Sequence, residues 1–159
     1  MKNILVIDDK DEVRAVIVAT LIYAGYTVRQ AKNGRDGILM LLVQRPDLIL
    51  CDVRMPEMDG YRTLAAIRNV PGTAAIPFIL MTGSMSRDEF RHAMVCGADD
   101  YLMKPFSARE LIKAVESRLT RQMHVQSEAH QRIEELREQG FPRFSAESAP
   151  VGTLTAVAA

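Results

Sequence analysis

The residues able to do chemistry stand at the ends of short apolar runs. Asp8 and Asp9 follow Ile4-Leu-Val-Ile7, Asp52 follows Leu48-Ile-Leu-Cys51, Thr82 follows Phe78-Ile-Leu-Met81, and Lys104 follows Tyr101-Leu-Met103. If these ends meet, carboxylates from separate segments share one pocket, where adjacent like charges raise each other's pKa and destabilise the fold. A divalent cation relieves that repulsion. Hard Mg2+ prefers oxygen ligands, keeps several waters and bridges carboxylates to phosphate oxygens. Lys104 then supplies a fixed positive charge for one phosphoryl oxygen, and the Thr82 hydroxyl can donate to another. Asp52, central among them, is the natural nucleophile of such a pocket.

Taken singly, each residue has a plainer reading. An Asp after a strand is more often a helix N-cap, and Thr82 or Lys104 alone reads as a strand-end hydroxyl or a solvated cation. The weight lies in the joint pattern of acid pair, acid, hydroxyl and lysine.

The elements that must position them follow from periodicity. Ile4 to Ile7 reads as a buried strand, and Val13, Val16, Ile17, Thr20 and Leu21 then fall at helical spacing before Gly25 closes the helix. Tyr26 to Ala31 reads as a strand, Gly34 to Val43 as a helix, Leu48 to Asp52 as a strand and Tyr61 to Ile67 as a helix broken at Pro71-Gly72. Pro77 to Met81, Ser86 to Val95, Tyr101 to Met103 and Ala108 to Leu119 continue the alternation of strand and helix. Continuous apolar strands, each followed by a helix, indicate a parallel sheet covered on both faces: a doubly wound (βα)5, flavodoxin-like α/β domain. In such sheets ligands bind beyond the carboxyl ends of the strands, which is where all four groups fall.

Length and composition bound the rest. The 159 residues hold one domain with a core and an appendage, and 48% hydrophobic with 25% charged residues is an ordinary globular balance. Net charge is zero, and up to Arg121 there are 17 Lys/Arg against 15 Asp/Glu, which argues against direct nucleic-acid binding through bulk charge. The opening apolar run is too short for a signal peptide or a membrane helix, so membrane insertion is not expected and the cytoplasm is. Cys51 and Cys96 form no CxxC pair and read as reduced structural thiols.

The strings Ile4-Leu-Val-Ile-Asp-Asp9, Asp52-Val-Arg-Met-Pro-Glu-Met-Asp-Gly60, Pro77-Phe-Ile-Leu-Met-Thr-Gly83 and Asp100-Tyr-Leu-Met-Lys-Pro-Phe106 resemble the response-regulator receiver family of two-component signalling, in its chemotaxis-regulator-like form. The resemblance covers residues 1–121. It implies that Asp52 is the phosphoacceptor, charged by a histidine kinase or phosphotransfer protein, and that the domain signals rather than catalyses beyond self-phosphorylation and slow self-dephosphorylation. It implies Mg2+ held by the side chains of Asp9 and Asp52, by Asp8 largely through water, and by the backbone carbonyl of Arg54. It also implies a switch, in which Thr82 is drawn in and Tyr101 rotates inward. The face formed by the helix at Ser86–Val95, the strand at Tyr101–Met103 and the helix at Ala108–Leu119 would then change for a downstream effector or output domain. Lys104-Pro105 is expected to be cis. Arg54 and Ser84 stand where the family varies and where side chains can screen the hydrolytic water.

Beyond Leu119 the helical pattern continues, giving an expected extension over 122–139 and a disordered tail or linker over 140–159. Gln122 and Gln126 occupy heptad core positions, so a solvated extension and a dimerising or signal-transmitting helix both stand open. His124 and His130 on it read as solvated. Two other functions compete: a haloacid-dehalogenase-like phosphatase using Asp9 in Asp9-x-Asp11-x-Val13, and a non-phosphorylated adaptor of the same fold. A helix starting right after Asp11 leaves the phosphatase no flap, and packing alone requires neither Thr82 nor Lys104.

Overall fold

The computed structural model describes residues 1–83, 91 and 95–139. Its strands are β1 (Asn3–Ile7), β2 (Thr27–Ala31), β3 (Leu48–Asp52), β4 (Phe78–Thr82) and β5 (Asp100–Met103). Between them lie helices α1 (Asp11–Tyr23), α2 (Gly34–Val43) and α3 (Gly60–Asn69), and a C-terminal helix runs over Ala108–Glu138. Of the helix expected at Ser86–Val95 only Arg91 and Val95 are described, both helical and exposed. Ser84 and the tail 140–159 lie outside the described residues.

The five strands form one parallel sheet in the order β2-β1-β3-β4-β5. Every residue of β1, β3 and β4 is buried, whereas β2 and β5 are only partly so. The three central strands therefore need apolar side chains on both faces, while the edge strand β2 tolerates Arg29 and Gln30.

Period-two alternation sends successive residues to opposite faces. Ile4, Val6, Leu48, Leu50, Ile79, Met81 and Leu102 pack with Ile17 and Leu21 of α1 and with Leu111, Val115 and Leu119 of the C-terminal helix. Leu5, Ile7, Ile49, Cys51, Phe78 and Leu80 pack on the other face with Leu41 of α2 and with Leu64 and Ile67 of α3. Each layer stabilises the sheet by excluding water, at about 1.5–3 kcal/mol per fully buried large aliphatic side chain.

Helix ends follow local chemistry. Gly25, at φ 89°, closes α1: its N–H donates to the Ile22 carbonyl at 2.9 Å and the Tyr26 N–H to Leu21 at 3.1 Å. The Asn33 and Asp59 side chains cap α2 and α3 by accepting from the N–H groups of Asp36 and Arg62. The chain divides into two units, Met1–Met123 and His124–Ala159, and the described part of the second is helical as far as Glu138. Among the described residues no helix is long and apolar enough to cross a membrane.

Candidate functional site

The chain leaves β1 for β2 on one side and returns to place β3 on the other, so the carboxyl ends of β1 and β3 flank the point where strand order reverses. Ile7 is in register with Cys51, which sets Asp8 beside Asp52. β4 follows, then β5, and the Lys104 N–H donates to the Thr82 carbonyl at 2.7 Å, extending β5 along β4 by one residue. Register thus brings Asp8, Asp52, Thr82 and Lys104 to one end of the sheet.

The Lys104 ammonium stands between two carboxylates, 2.6 Å from Asp8 Oδ2 and 2.5 Å from Asp52 Oδ1. Asp8 is fully buried and Asp52 nearly so. The Lys10 N–H donates to Asp8 Oδ1 at 2.9 Å, and the Arg54 N–H donates to Asp52 Oδ2 at 2.8 Å. Both oxygens of each acid are therefore engaged, which fixes their planes. Burial pushes the Asp52 carboxyl above its ordinary pKa, opposed by the Lys104 hydrogen bond and charge and reinforced by Asp8. Burial by itself would lower the Lys104 ammonium, but its hydrogen bonds to Asp52 and Asp8, and their charges, raise it. One ammonium shared by two buried acids leaves the trio short of positive charge.

Asp9 does not cap α1, whose N-cap is Lys10 with no side-chain cap bond. Its Oδ1 is buried with no hydrogen-bond partner. A buried carboxylate oxygen in that state costs free energy unless something positive fills the vacant direction. Among the described residues no group of three or more His, Cys, Asp or Glu is gathered so as to hold a metal ion by itself. Mg2+ takes one or two carboxylates and completes its shell with water and phosphate oxygens. The carboxylate oxygens of Asp8, Asp9 and Asp52 are donors of the chemical kind that such an ion takes.

Thr82 ends β4 and is buried; Tyr101 on β5 is half-buried. By alternation both belong to the α3 face of the sheet, whereas Asp8, Asp52 and Lys104 belong to the α1 face. The Lys104-Pro105 peptide is cis, as the family resemblance implies.

Three contributors were not singled out from sequence. Gly60 lies so close to β3 that a Cβ there would overlap the Asp52 carbonyl and meet the Val53 Cα at 3.0 Å, and its N–H donates to the Val53 carbonyl at 2.9 Å. Arg14 donates to the Asp8 carbonyl at 2.7 Å and to Gln30 Oε1 at 3.1 Å, and pairs with Asp11, tying the acidic loop to α1 and β2. A lone cation in the first turns of an otherwise acidic helix start was the available signal. Tyr61 places its hydroxyl 3.3 Å from that of Tyr101, a contact with no local sequence signature. Finally, α1 begins at Asp11 itself, so no flap segment follows Asp9, and the phosphatase reading is not favoured.

Comparison with known proteins agrees with this arrangement. The chain is 37% identical over 111 residues to the regulatory protein AtoC of Escherichia coli K12, a match covering 70% of this chain and 24% of AtoC. Across the first curated relatives it matches, the chain spans between 24% and 57% of their length. Among solved structures, the chemotaxis protein CheY4 of Vibrio cholerae superposes with a TM-score of 0.72 at 31% identity, over 74% of this chain and 98% of that one. The receiver domain of sensor histidine kinase PA1611 from Pseudomonas aeruginosa PAO1, with magnesium coordinated in its active site cleft, gives 0.70 at 30% identity over 75% and 98%. The family described as the response regulator receiver domain matches residues 4–116. This chain, with its acid pair, central aspartate and lysine at one end of a 2-1-3-4-5 sheet, belongs to the response regulator receiver domain family, a family of signalling domains.

Proposed function

We propose that this domain accepts a phosphoryl group on Asp52 from a histidine kinase or phosphotransfer protein, with Mg2+ at Asp9 and Asp52, and passes the change to a partner or output module. The observation that carries the reading is Lys104 bridging Asp8 and Asp52 at 2.6 and 2.5 Å, with an unpartnered buried oxygen on Asp9, the residue after Asp8. It is a pocket built with more negative than positive charge, around one central carboxylate.

An Asp52 carboxylate oxygen attacks the donor's phosphorus, forming a P–O bond as the bond to the donor nitrogen, or to acetate in acetyl phosphate, breaks. The Arg54 N–H holds Asp52 Oδ2 and so orients the carboxylate. Lys104, already within 2.5 Å of Asp52, exchanges that contact for an oxygen of the arriving phosphoryl group. Mg2+, when bound, neutralises charge building on the phosphoryl oxygens. Asp8, the Arg54 carbonyl and water would complete its shell. Beside Lys104 a cleft of about 520 Å3, lined by Val13, Val16, Ile17, Pro105 and Phe106, offers a donor protein an apolar seat next to the acceptor.

Once formed, the acyl phosphate carries about −1.5 to −2 charge where the carboxylate carried −1, taking the second phosphate pKa as near 6. It can shift the fold only through contacts that differ between states, and the buried Thr82 hydroxyl across the sheet end, with Tyr101 on the same face, supplies them. The affected surface would be the face formed by the segment before β5, β5 itself and the start of the C-terminal helix. Incubation with acetyl phosphate and Mg2+ tests the assignment. One acid-labile phosphoryl group per chain, on Asp52 and lost in Asp52→Asn, is expected; many turnovers through Asp9 would instead reveal a phosphatase, and no labelling an adaptor.

A further inference from the structure

Tyr61 lies in the first turn of α3, directly after the glycine that seats that helix against β3. Its hydroxyl is 3.3 Å from that of Tyr101, and both side chains pack, partly buried, against the core layer shared with α2 and α3. β4 separates β3 from β5 in the sheet, so the Tyr101 ring reaches from the edge strand toward α3 to make this contact. Leu80, in register with Tyr101, and Thr82 belong to that same face.

We propose that Tyr61 is the positioning residue for Tyr101, its hydroxyl holding the ring turned toward α3 before any phosphoryl group is present. The proposal rests on the reading of Tyr101 as the switch aromatic and adds what sets that aromatic's resting place. Packing against the core needs only the Tyr61 ring; the bond to Tyr101 needs its oxygen. A part-buried hydrogen bond between neutral groups shifts a two-state ratio by roughly two- to tenfold. That is enough to bias a side chain between rotamers but not enough to lock it, since driving such a ratio from one extreme to the other takes about 10⁴-fold. Tyr61 is also anchored to the acceptor strand, because the preceding Gly60 N–H donates to Val53 next to Asp52. A shift of β3's end therefore reaches Tyr101 through α3 as well as through Thr82.

The test uses the full chain labelled with 3-fluorotyrosine, whose four tyrosines are assigned by single Tyr→Phe variants. The 19F resonance of Tyr101 is followed in wild type and Tyr61→Phe, with and without Mg2+ and beryllofluoride, an acyl-phosphate mimic. Tyr61→Phe should move the resting Tyr101 resonance, with the turned-in fraction relative to the other falling two- to tenfold, and saturating beryllofluoride should move it back. A resting resonance untouched by Tyr61→Phe overturns the proposal. If it moves at rest but does not return although beryllofluoride raises the melting temperature, Tyr101 is not the switch and the coupling is refuted. Failure of beryllofluoride to bind wild type would count against the Asp52 reading instead, while the resting comparison still decides whether Tyr61 positions Tyr101.

Discussion

Lys104 Nζ lies 2.5 Å from Oδ1 of Asp52, a residue 52 positions earlier in the chain, and 2.6 Å from Asp8. The Asp52 carboxylate is thus already paired with the cation that, under the proposed function, would meet its phosphoryl group. Removing the lysine leaves two buried acids facing each other. Lys104→Ala should cost about 2–3 kcal/mol, by the penalty for leaving a buried charge unpaired. The cost reads as a lower urea midpoint at unchanged slope, and added Mg2+ should recover part of it.

Asp52→Asn tests the same pair from the other side, with a sign fixed by burial. Because the Asp52 carboxyl titrates above its ordinary value of 3.8 in the folded state, its ionisation works against folding. Below pH 3.8 both states are protonated and no penalty exists. The penalty grows as pH rises through that value and is complete above the folded pKa. Without Mg2+, the stability of Asp52→Asn relative to wild type should therefore increase with pH across that window. A difference that stays flat or reverses in urea melts would remove burial as the dominant influence on Asp52.

Mg2+ should stabilise the wild type by mass action. At free Mg2+ about ten times its dissociation constant, linkage gives about 1.4 kcal/mol. Asp9→Asn should abolish most of this gain with little cost in metal-free stability, since the buried Oδ1 it replaces has no partner to lose. Thermal melts of both proteins with Mg2+ and with a chelator measure it, and an equal Mg2+ gain in the variant would remove Asp9 from the site.

Gly60→Ala probes the seat of α3. The added methyl would overlap the Asp52 carbonyl and press on the Val53 Cα, both backbone atoms that cannot rotate aside. A cost of about 1–3 kcal/mol is expected for such overpacking. Under the proposed function, slower acetyl-phosphate labelling should accompany it, because the displaced backbone carries Asp52.

Away from the site, Asp47 joins the β3 approach to the N-terminus, accepting from the Asn3 N–H at 2.7 Å and pairing with Lys2 at 2.9 Å. Burial would raise its pKa, but the Asn3 hydrogen bond and Lys2 outweigh it and hold the carboxyl below 3.8. The stability it supplies is therefore complete above that pH and is lost as pH falls through the folded value. Asp47→Asn should be the less stable protein at neutral pH, by about 1 kcal/mol, and the gap should close on acidification. Paired urea melts between acid and neutral pH test the sign.

The sequence by itself determined the alternation of strand and helix and, through it, the doubly wound sheet. Runs such as Leu48–Asp52 are apolar on both faces and have no stable place except between two helical layers. It also determined which residues end the strands, because the apolar runs stop at Asp8, Asp52 and Lys104. Some boundaries moved by a residue or two, as at Thr82, which the ladder holds as the last residue of β4. Only the tertiary structure decided that Lys104 bridges Asp8 and Asp52 and that Asp9 keeps a buried oxygen without a partner. It alone paired Tyr61 with Tyr101. Local patterns record whether a side chain turns toward water or core, but a contact between distant segments depends on register, strand order and helix seating, which no single stretch of chain contains.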